Sequence, residues 1–334
     1  MMRASRIITV TVNPAIDLAT AAESIHATRK IRTSDEQYFP GGGGLNVARV
    51  VQELGGSATA LMLAGGITGR FLGELLDEAG VCWHAIPVNG RTRISLNIFE
   101  RSTGLEYRFV PDGPVVGEEE WRALLSLVER ASGAWLVASG SLGPGIPQDF
   151  YTQLAHIAQA RGQNFALDTS GPALAAGLGR ELTLLKPSLG EFESLCRREL
   201  GDPVRLEVEA LDFVRSGAAR MLAVTLGAEG AILATPEGVL RLGAPRIAVR
   251  SAVGAGDAFL AGMILALAGG LAPAAALAWG VAAGCSAVSG AGTAQVRRAE
   301  VEALAGSLAK EVRLVATPAG PAFVQRDSLK GGSA

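Results

Sequence analysis

Aromatic residues are scarce in this chain, at 5% of 334 residues, and histidine occurs three times. Cysteine is equally rare. Cys82, Cys196 and Cys285 are odd in number and widely spaced, with no CxxC pair. That excludes a zinc ribbon and a disulfide framework, and it fits reduced thiols and a cytoplasmic location. A strong charge of either sign is also missing: the formal net charge is -2. Nothing therefore points to nucleic acid or an anionic membrane as partner. No apolar stretch near the N-terminus is long enough for a secretory leader. The longest apolar stretches, 258–268 and 271–288, are flanked or interrupted by Gly and Pro and predict buried helices rather than membrane spans.

What is abundant is small and apolar. Hydrophobic residues make up 49% and glycine counts 43, enough for a large core of closely packed layers. Ile7 to Val12 is β-branched and predicts a buried strand. The glycine run 41–44 precedes helical spacing over Asn46 to Leu54; a strand over Thr59 to Ala64 and a helix over Phe71 to Ala79, closed by Gly80, follow. Arg93 to Glu100 and Leu105 to Val110 predict a hairpin. Then strands 134–138, 164–168, 182–186 and 221–225 alternate with helices 118–131, 148–160, 190–199 and 204–216. A hairpin at 231–234 and 239–241 and helices 257–268, 273–289 and 299–308 complete the pattern. This rhythm predicts an α/β fold with a mostly parallel central sheet and helices on both faces. Segments 17–38 and 92–110 break the rhythm and predict a small β-sheet lid on a single domain, 1–317. The tail 318–334 is small and polar and is expected to be disordered.

The densest chemical signal is Ser251-Ala252-Val253-Gly254-Ala255-Gly256-Asp257, running into an apolar helix. The first N–H groups of a helix lack internal partners and suit an anion. Asp257 sets a carboxylate beside them, although a plain N-cap would look the same in isolation. The run Gly41-Gly42-Gly43-Gly44 is costly in chain entropy, as expected where a ligand approaches the backbone, and Asn46 behind it can both donate and accept. Asp17 follows the first strand, where ligands of open parallel sheets bind. Lys186, Ser188 and Glu191 bracket a strand-to-helix turn, with Glu191 a candidate magnesium ligand or simply a favoured helix-start acid. Thr225, Gly227 and Gly230 form a turn suited to a nucleotide phosphate or to an ordinary hairpin. Arg93 and Arg108 on the lid strands, Lys30 on its earlier segment, and Ser141 in Ser139-Gly140-Ser141-Leu142 are candidate phosphate contacts.

Together with Gly55-Gly56-Ser57-Ala58-Thr59-Ala60 and Tyr107-Arg108-Phe109-Val110, these segments resemble the PfkB (ribokinase-like) carbohydrate kinase family over residues 7–308. Within it the chain is most similar to the branch of minor bacterial 6-phosphofructokinases, 1-phosphofructokinases and tagatose-6-phosphate kinases. The resemblance implies a ribokinase-like domain, ATP and magnesium, optionally a monovalent cation, and a homodimer formed through the lid. It implies phosphorylation of a phosphorylated ketohexose, fructose 6-phosphate to fructose 1,6-bisphosphate, with fructose 1-phosphate or tagatose 6-phosphate as the alternative substrate. Asp257 resembles the catalytic base and the amides of Gly254, Ala255 and Gly256 the anion hole. Asp17, Gly42, Gly43 and Asn46 resemble sugar contacts, and Lys30, Arg93, Arg108 and Ser141 the grip on the sugar phosphate. Lys186, Ser188, Thr225, Gly227, Gly230, Ser251 and Val253 resemble nucleotide positions, and Glu191 the metal position. Two departures stand out: Ser188 replaces a usual Asn, and Ser251-Ala252 replace a frequent Asp-Thr. A nicotinamide dehydrogenase is disfavoured because no GxGxxG follows the first strand. A catalytically silent sugar-nucleotide sensor is disfavoured by Asp257 and its glycines.

Overall fold

The computed structural model describes residues 6–179, 181–249, 251–289, 294–317 and 320–321. The chain enters through β1 (Ile7–Thr11), fully buried as its β-branched sequence demands. It leaves the main sheet for β2 (Ala15–Ala22) and β3 (Thr33–Gly41), then returns through α1 (Gly43–Glu53), β4 (Ala58–Ala64), α2 (Gly66–Glu78) and β5 (Cys82–Pro87). A second excursion gives β6 (Arg93–Glu100) and β7 (Leu105–Phe109). Alternation follows through α3 (Glu118–Arg130), β8 (Trp135–Ser139), α4 (Phe150–Ala160), β9 (Asn164–Asp168), α5 (Gly171–Ala176) and β10 (Leu182–Leu185). It continues with α6 (Leu189–Cys196), α7 (Pro203–Arg215), β11 (Met221–Thr225), β12 (Ala231–Thr235) and β13 (Gly238–Leu242). The chain then runs through α8 (Ala255–Ala268), α9 (Pro273–Ser289), α10 (Arg298–Leu308), β14 (Arg313–Thr317) and β15 (Gly320–Pro321).

Among the described residues the main sheet has eleven strands, ordered β15-β14-β13-β12-β11-β10-β9-β8-β1-β4-β5. It is parallel from β11 to β5 and antiparallel from β11 to β15. Side chains alternate across it. Ile7, Met62 and Val137 join one apolar layer with α1, α2, α8, α9 and α10, whereas Ile8, Val10 and Leu136 join the other with α3, α4, α6 and α7. Helices α8 and α9 are apolar nearly all round because each is buried between neighbours. The chain leaves β1 toward β4 on one side and later builds β8 to β11 on the other, so the strand order reverses between β1 and β8. The carboxyl ends there open into a crevice.

The four remaining strands form a separate sheet, ordered β3-β2-β6-β7. Its faces differ. Asp17, Ser95, Arg93 and Arg108 alternate onto one face; Ile94, Leu96, Ile98, Leu105 and Phe109 alternate onto the other. Ile94, Leu105 and Phe109 are 42, 56 and 55% exposed, an unusual degree for large apolar residues.

Several boundaries differ from expectation. Helix α1 begins inside the glycine run at Gly43 rather than Asn46, and α2 begins at Gly66 rather than Phe71. Strand β5, helix α5 and strand β14 carry no clear period of their own and escape the sequence pattern. The tail expected to be disordered lies outside the described residues, save Gly320–Pro321, which pair with Ala316 and Thr317.

Candidate active site

Helix α8 opens at the crevice. Gly254 precedes it at φ 76 and supplies no side chain to cap its first amides. A Cβ there would run into Ala294 at 2.5 Å, so Gly is required by both backbone and space. Asp257 is the third residue of α8. Its Oδ2 accepts from Asn46 Nδ2 at 2.9 Å and its Oδ1 from Ser139 Oγ at 3.3 Å. Asn46 comes from α1 and Ser139 from the end of β8, so three elements converge on one carboxylate. Burial raises the Asp257 pKa, and the nearby Asp17 adds to that; the Asn46 and Ser139 hydrogen bonds and the Lys186 charge oppose it.

Lys186 stands beside the helix start. A Cβ on Gly256 would lie 3.4 Å from its Nζ. The ammonium is buried and pairs with Asp168 Oδ1 at 3.1 Å. Burial pushes the Asp168 carboxyl up to about 6, against the pull of Lys186 and with the help of Asp257 and Glu191. A polar cleft of about 240 Å³ is lined by Gly43, Ser139, Ser141, Asp168, Glu191 and Asp257, among others. On the other side of the α8 start lies a largely apolar cavity of about 660 Å³, lined by Thr225, Gly227, Gly230, Ala252, Ala255, Gly256, Phe259 and Val281, among others. Asp257 lines the first volume and its chain neighbour Gly256 the second. One side can seat a polar acceptor, the other a flat apolar group, and the start of α8, which has no side-chain cap, lies between these two residues' cavities.

Asp17 belongs to the same electrostatic neighbourhood. Burial raises its pKa, opposed by Arg108, Arg93 and Arg49. Gly41 lacks a Cβ where the Asp17 carboxylate lies. The whole glycine run has this character: Gly42 is crowded by Thr11, Gly43 by Ser139, and Gly44 by Val10 and Thr11. The run is thus explained by close packing of the α1 start on β1 and β8, not only by ligand approach. Arg93 donates from Nη1 to Pro111 O and from Nη2 to Asn13 O, each at 2.8 Å, bracing the small sheet on the end of β1. Further N–H donors on that guanidinium remain.

Other expected residues sit differently. Ser188 caps α6: its Oγ accepts from Glu191 N, while Glu191 Oε2 accepts from Ser188 N at 2.8 Å and Ser188 Oγ at 2.9 Å. One Glu191 oxygen therefore serves the cap, although the residue also lines the cleft. Ser251 Oγ accepts from Val253 N at 3.3 Å and supports the turn from behind. Gly230 is held at φ 96 against the Leu242 carbonyl, so its hairpin role suffices to require it, whereas space beside Gly227 is open. Lys30 is not brought to the cleft by its own chain. It follows β2 beyond Ala22, the end of the hairpin away from Gly41. At about 3.3 Å per residue, Ala22 already lies roughly 16 Å beyond Asp17.

Asp168 and Ser139 line the cleft without having been expected there. Both end a strand at the switch point, and Asp168-Thr169-Ser170 is a polar step straight after the apolar Phe165–Leu167, a signal that could have revealed them. Arg49 lies buried on α1 beside Asn46.

A doubly wound sheet with a small second sheet over its switch point and a glycine-led helix start in the crevice is the architecture of the ribokinase-like kinases. The family model described as pfkB family carbohydrate kinase matches residues 10–299, and the chain belongs to that family. It is 39% identical over 299 residues to ATP-dependent 6-phosphofructokinase isozyme 2 of Mycobacterium tuberculosis H37Rv, covering 89% of this chain and 88% of the relative. Phosphofructokinase-2 of Escherichia coli in complex with fructose-6-phosphate superimposes with a TM-score of 0.86 at 37% identity, over 91% of this chain and 99% of that one. The same E. coli protein in complex with potassium gives a TM-score of 0.87 at 38% identity, with the same coverage.

Proposed function

We propose that this protein transfers the γ-phosphoryl group of ATP to the free primary hydroxyl of fructose 6-phosphate, giving fructose 1,6-bisphosphate and ADP. The observation that carries this reading is the Asp257 carboxylate, fixed by Asn46 and Ser139 at the start of an uncapped helix beside Lys186. Asp257 takes the hydroxyl proton as the sugar oxygen forms its bond to the γ-phosphorus. The bond from that phosphorus to the β–γ bridging oxygen breaks, and its electron pair leaves with ADP. The α8 amides and Lys186 stabilise charge on the transferring group. Asp17 and Asn46 are assigned to the sugar hydroxyls, and Arg93, Arg108 and Ser141 to the sugar phosphate. The apolar cavity with Thr225 and Gly227 takes the adenine end.

The cleft's oxygen donors suit a hard cation. Glu191 and Asp168 would hold magnesium together with phosphate oxygens, and the ion would offset phosphate charge. No group of three or more metal-ligating side chains occurs among the described residues, and magnesium needs only one or two carboxylates. A monovalent cation is proposed only as a class, in line with the potassium complex of the E. coli relative. We assign the exposed apolar face of the small sheet to a second copy of this chain, forming a homodimer. A cytoplasmic location is proposed from the three free cysteines. Among the described residues no helix is long and apolar enough to cross a membrane.

The test is ADP release with fructose 6-phosphate, fructose 1-phosphate, tagatose 6-phosphate and free fructose as acceptors. The highest kcat/KM is expected for fructose 6-phosphate. Preference for another acceptor overturns the substrate, and absence of acceptor-dependent ADP release overturns the reading.

A further inference from the structure

The Asn46 amide has two unlike ends, and Asp257 tolerates only one of them. An amide flip would set Oδ1 against a carboxylate and remove the donor that holds it. What decides the orientation lies one turn further along α1. Arg49 carries donors only, and its Nη2 donates to Asn46 Oδ1 at 3.4 Å. With Oδ1 engaged, Nδ2 faces Asp257, 2.9 Å from Oδ2.

Arg49 is itself an anomaly. It is 4% exposed, among Val47, Ala48, Val50 and Val51 on the buried stretch of α1. A guanidinium costs much to bury unless it is paired. Its Nη1 meets Glu53 Oε1 at 3.0 Å. An i,i+4 pair on a helix surface would contribute about as much to helix stability without that burial. Helix stability alone therefore does not explain the placement. Glu53 has a second engagement: its Oε2 accepts from Val296 N at 2.9 Å. Two residues before Val296, Ala294 donates from its N to Val253 O at 3.2 Å and packs against Gly254. One carboxylate thus joins the residue that orients Asn46 to the segment that supports the α8 turn.

We propose that Arg49 and Glu53 are positioning residues for phosphoryl transfer, locking the Asn46 amide toward Asp257 and tying that alignment to the turn that opens α8. This rests on the reading of Asp257 as the base. The pair touches no reacting atom. The hydrogen bond acts through Asn46, while the Arg49 charge also reaches Asp17. The effect therefore falls on the chemical step and the sugar side rather than on nucleotide binding, and Arg49→Lys, which keeps the charge, isolates the part carried by Asn46.

The experiment is a double-mutant cycle on kcat and KM with ATP and fructose 6-phosphate. Arg49→Lys keeps the charge but loses the fork that reaches Glu53 and Asn46 together. It is expected to lower kcat about tenfold, the scale seen when an outer orienting partner is lost, with KM for ATP within about twofold. In an Asn46→Ala background, where no amide remains to orient, the same substitution is expected to change kcat less than about twofold. Equal losses in both backgrounds, or wild-type kcat in Arg49→Lys, overturn the proposal. Glu53→Gln, which keeps an acceptor for Val296 N, runs through the same cycle if Arg49→Lys does not fold, with the same non-additivity expected. Asp257→Asn is measured in parallel. Turnover near wild type in that variant overturns the base assignment itself. Loss of turnover there with an additive cycle overturns only the role of Arg49 and Glu53.

Discussion

Asp257 works against its surroundings. Burial favours its neutral form, while a base must be ionised. Asp17 and Asp168 are shifted the same way, the latter to about 6. For a carboxyl whose folded pKa is raised, the folded chain binds more protons than the unfolded chain between the two values. The ligand-free protein therefore gains stability as pH falls through about 6 toward the ordinary carboxylate range, and loses it as pH rises through that window. On the proposed role of Asp257 as base, its protonation lowers kcat. The expected outcome, read by thermal unfolding between about pH 5 and 8, is a Tm that rises on acidification. A Tm that falls as the pH drops through that window contradicts the placement of Asp168. Asp257 was legible in the sequence because glycines and an apolar helix surround it. Asp168 and Ser139 were not, since each only ends a strand and acquires meaning when β8, β9 and α8 are brought together.

At the scale of elements, the two glycine-led helix starts were legible but their reasons were not. The run 41–44 looks like a ligand cradle in sequence; in the fold each position is crowded by Asp17, Thr11, Ser139 or Val10. Packing of this kind depends on partners far along the chain and leaves no local pattern. In the small sheet, β7 was visible from its alternation and the 17–38 segment only because it breaks the βα rhythm, whereas β5 and β14 at or near the sheet edges carry no strict period. Lys30 shows the limit of reading charge without register: its place at the far end of the β2–β3 hairpin follows only from pairing. Register also sorts the small sheet into a polar face carrying Asp17, Arg93 and Arg108 and an apolar face that is left exposed. Phe109→Asp places a charge on that apolar face and leaves the cleft residues in place. Sedimentation is expected to show a dimer for the wild type and a monomer for the variant. An unchanged sedimentation coefficient contradicts the assignment of that face to a second copy.

At the scale of the whole molecule, the site exists because the sheet reverses its strand order between β1 and β8. That reversal leaves Asn13, Ser139, Asp168, Lys186 and Thr225 at the carboxyl ends of their strands along one crevice, with the starts of α1 and α8 facing them. The α/β alternation in the sequence was sufficient for the layers and for the sheet's direction, but not for the strand order. In the function proposed, the carboxylate placed there removes the acceptor's proton. Asp257→Asn keeps size and both hydrogen-bonding neighbours while removing the base. Binding of ATP and of fructose 6-phosphate, measured by calorimetry, is expected to stay within about threefold, while kcat falls roughly a hundredfold or more. Turnover at the wild-type rate in this variant would contradict the account.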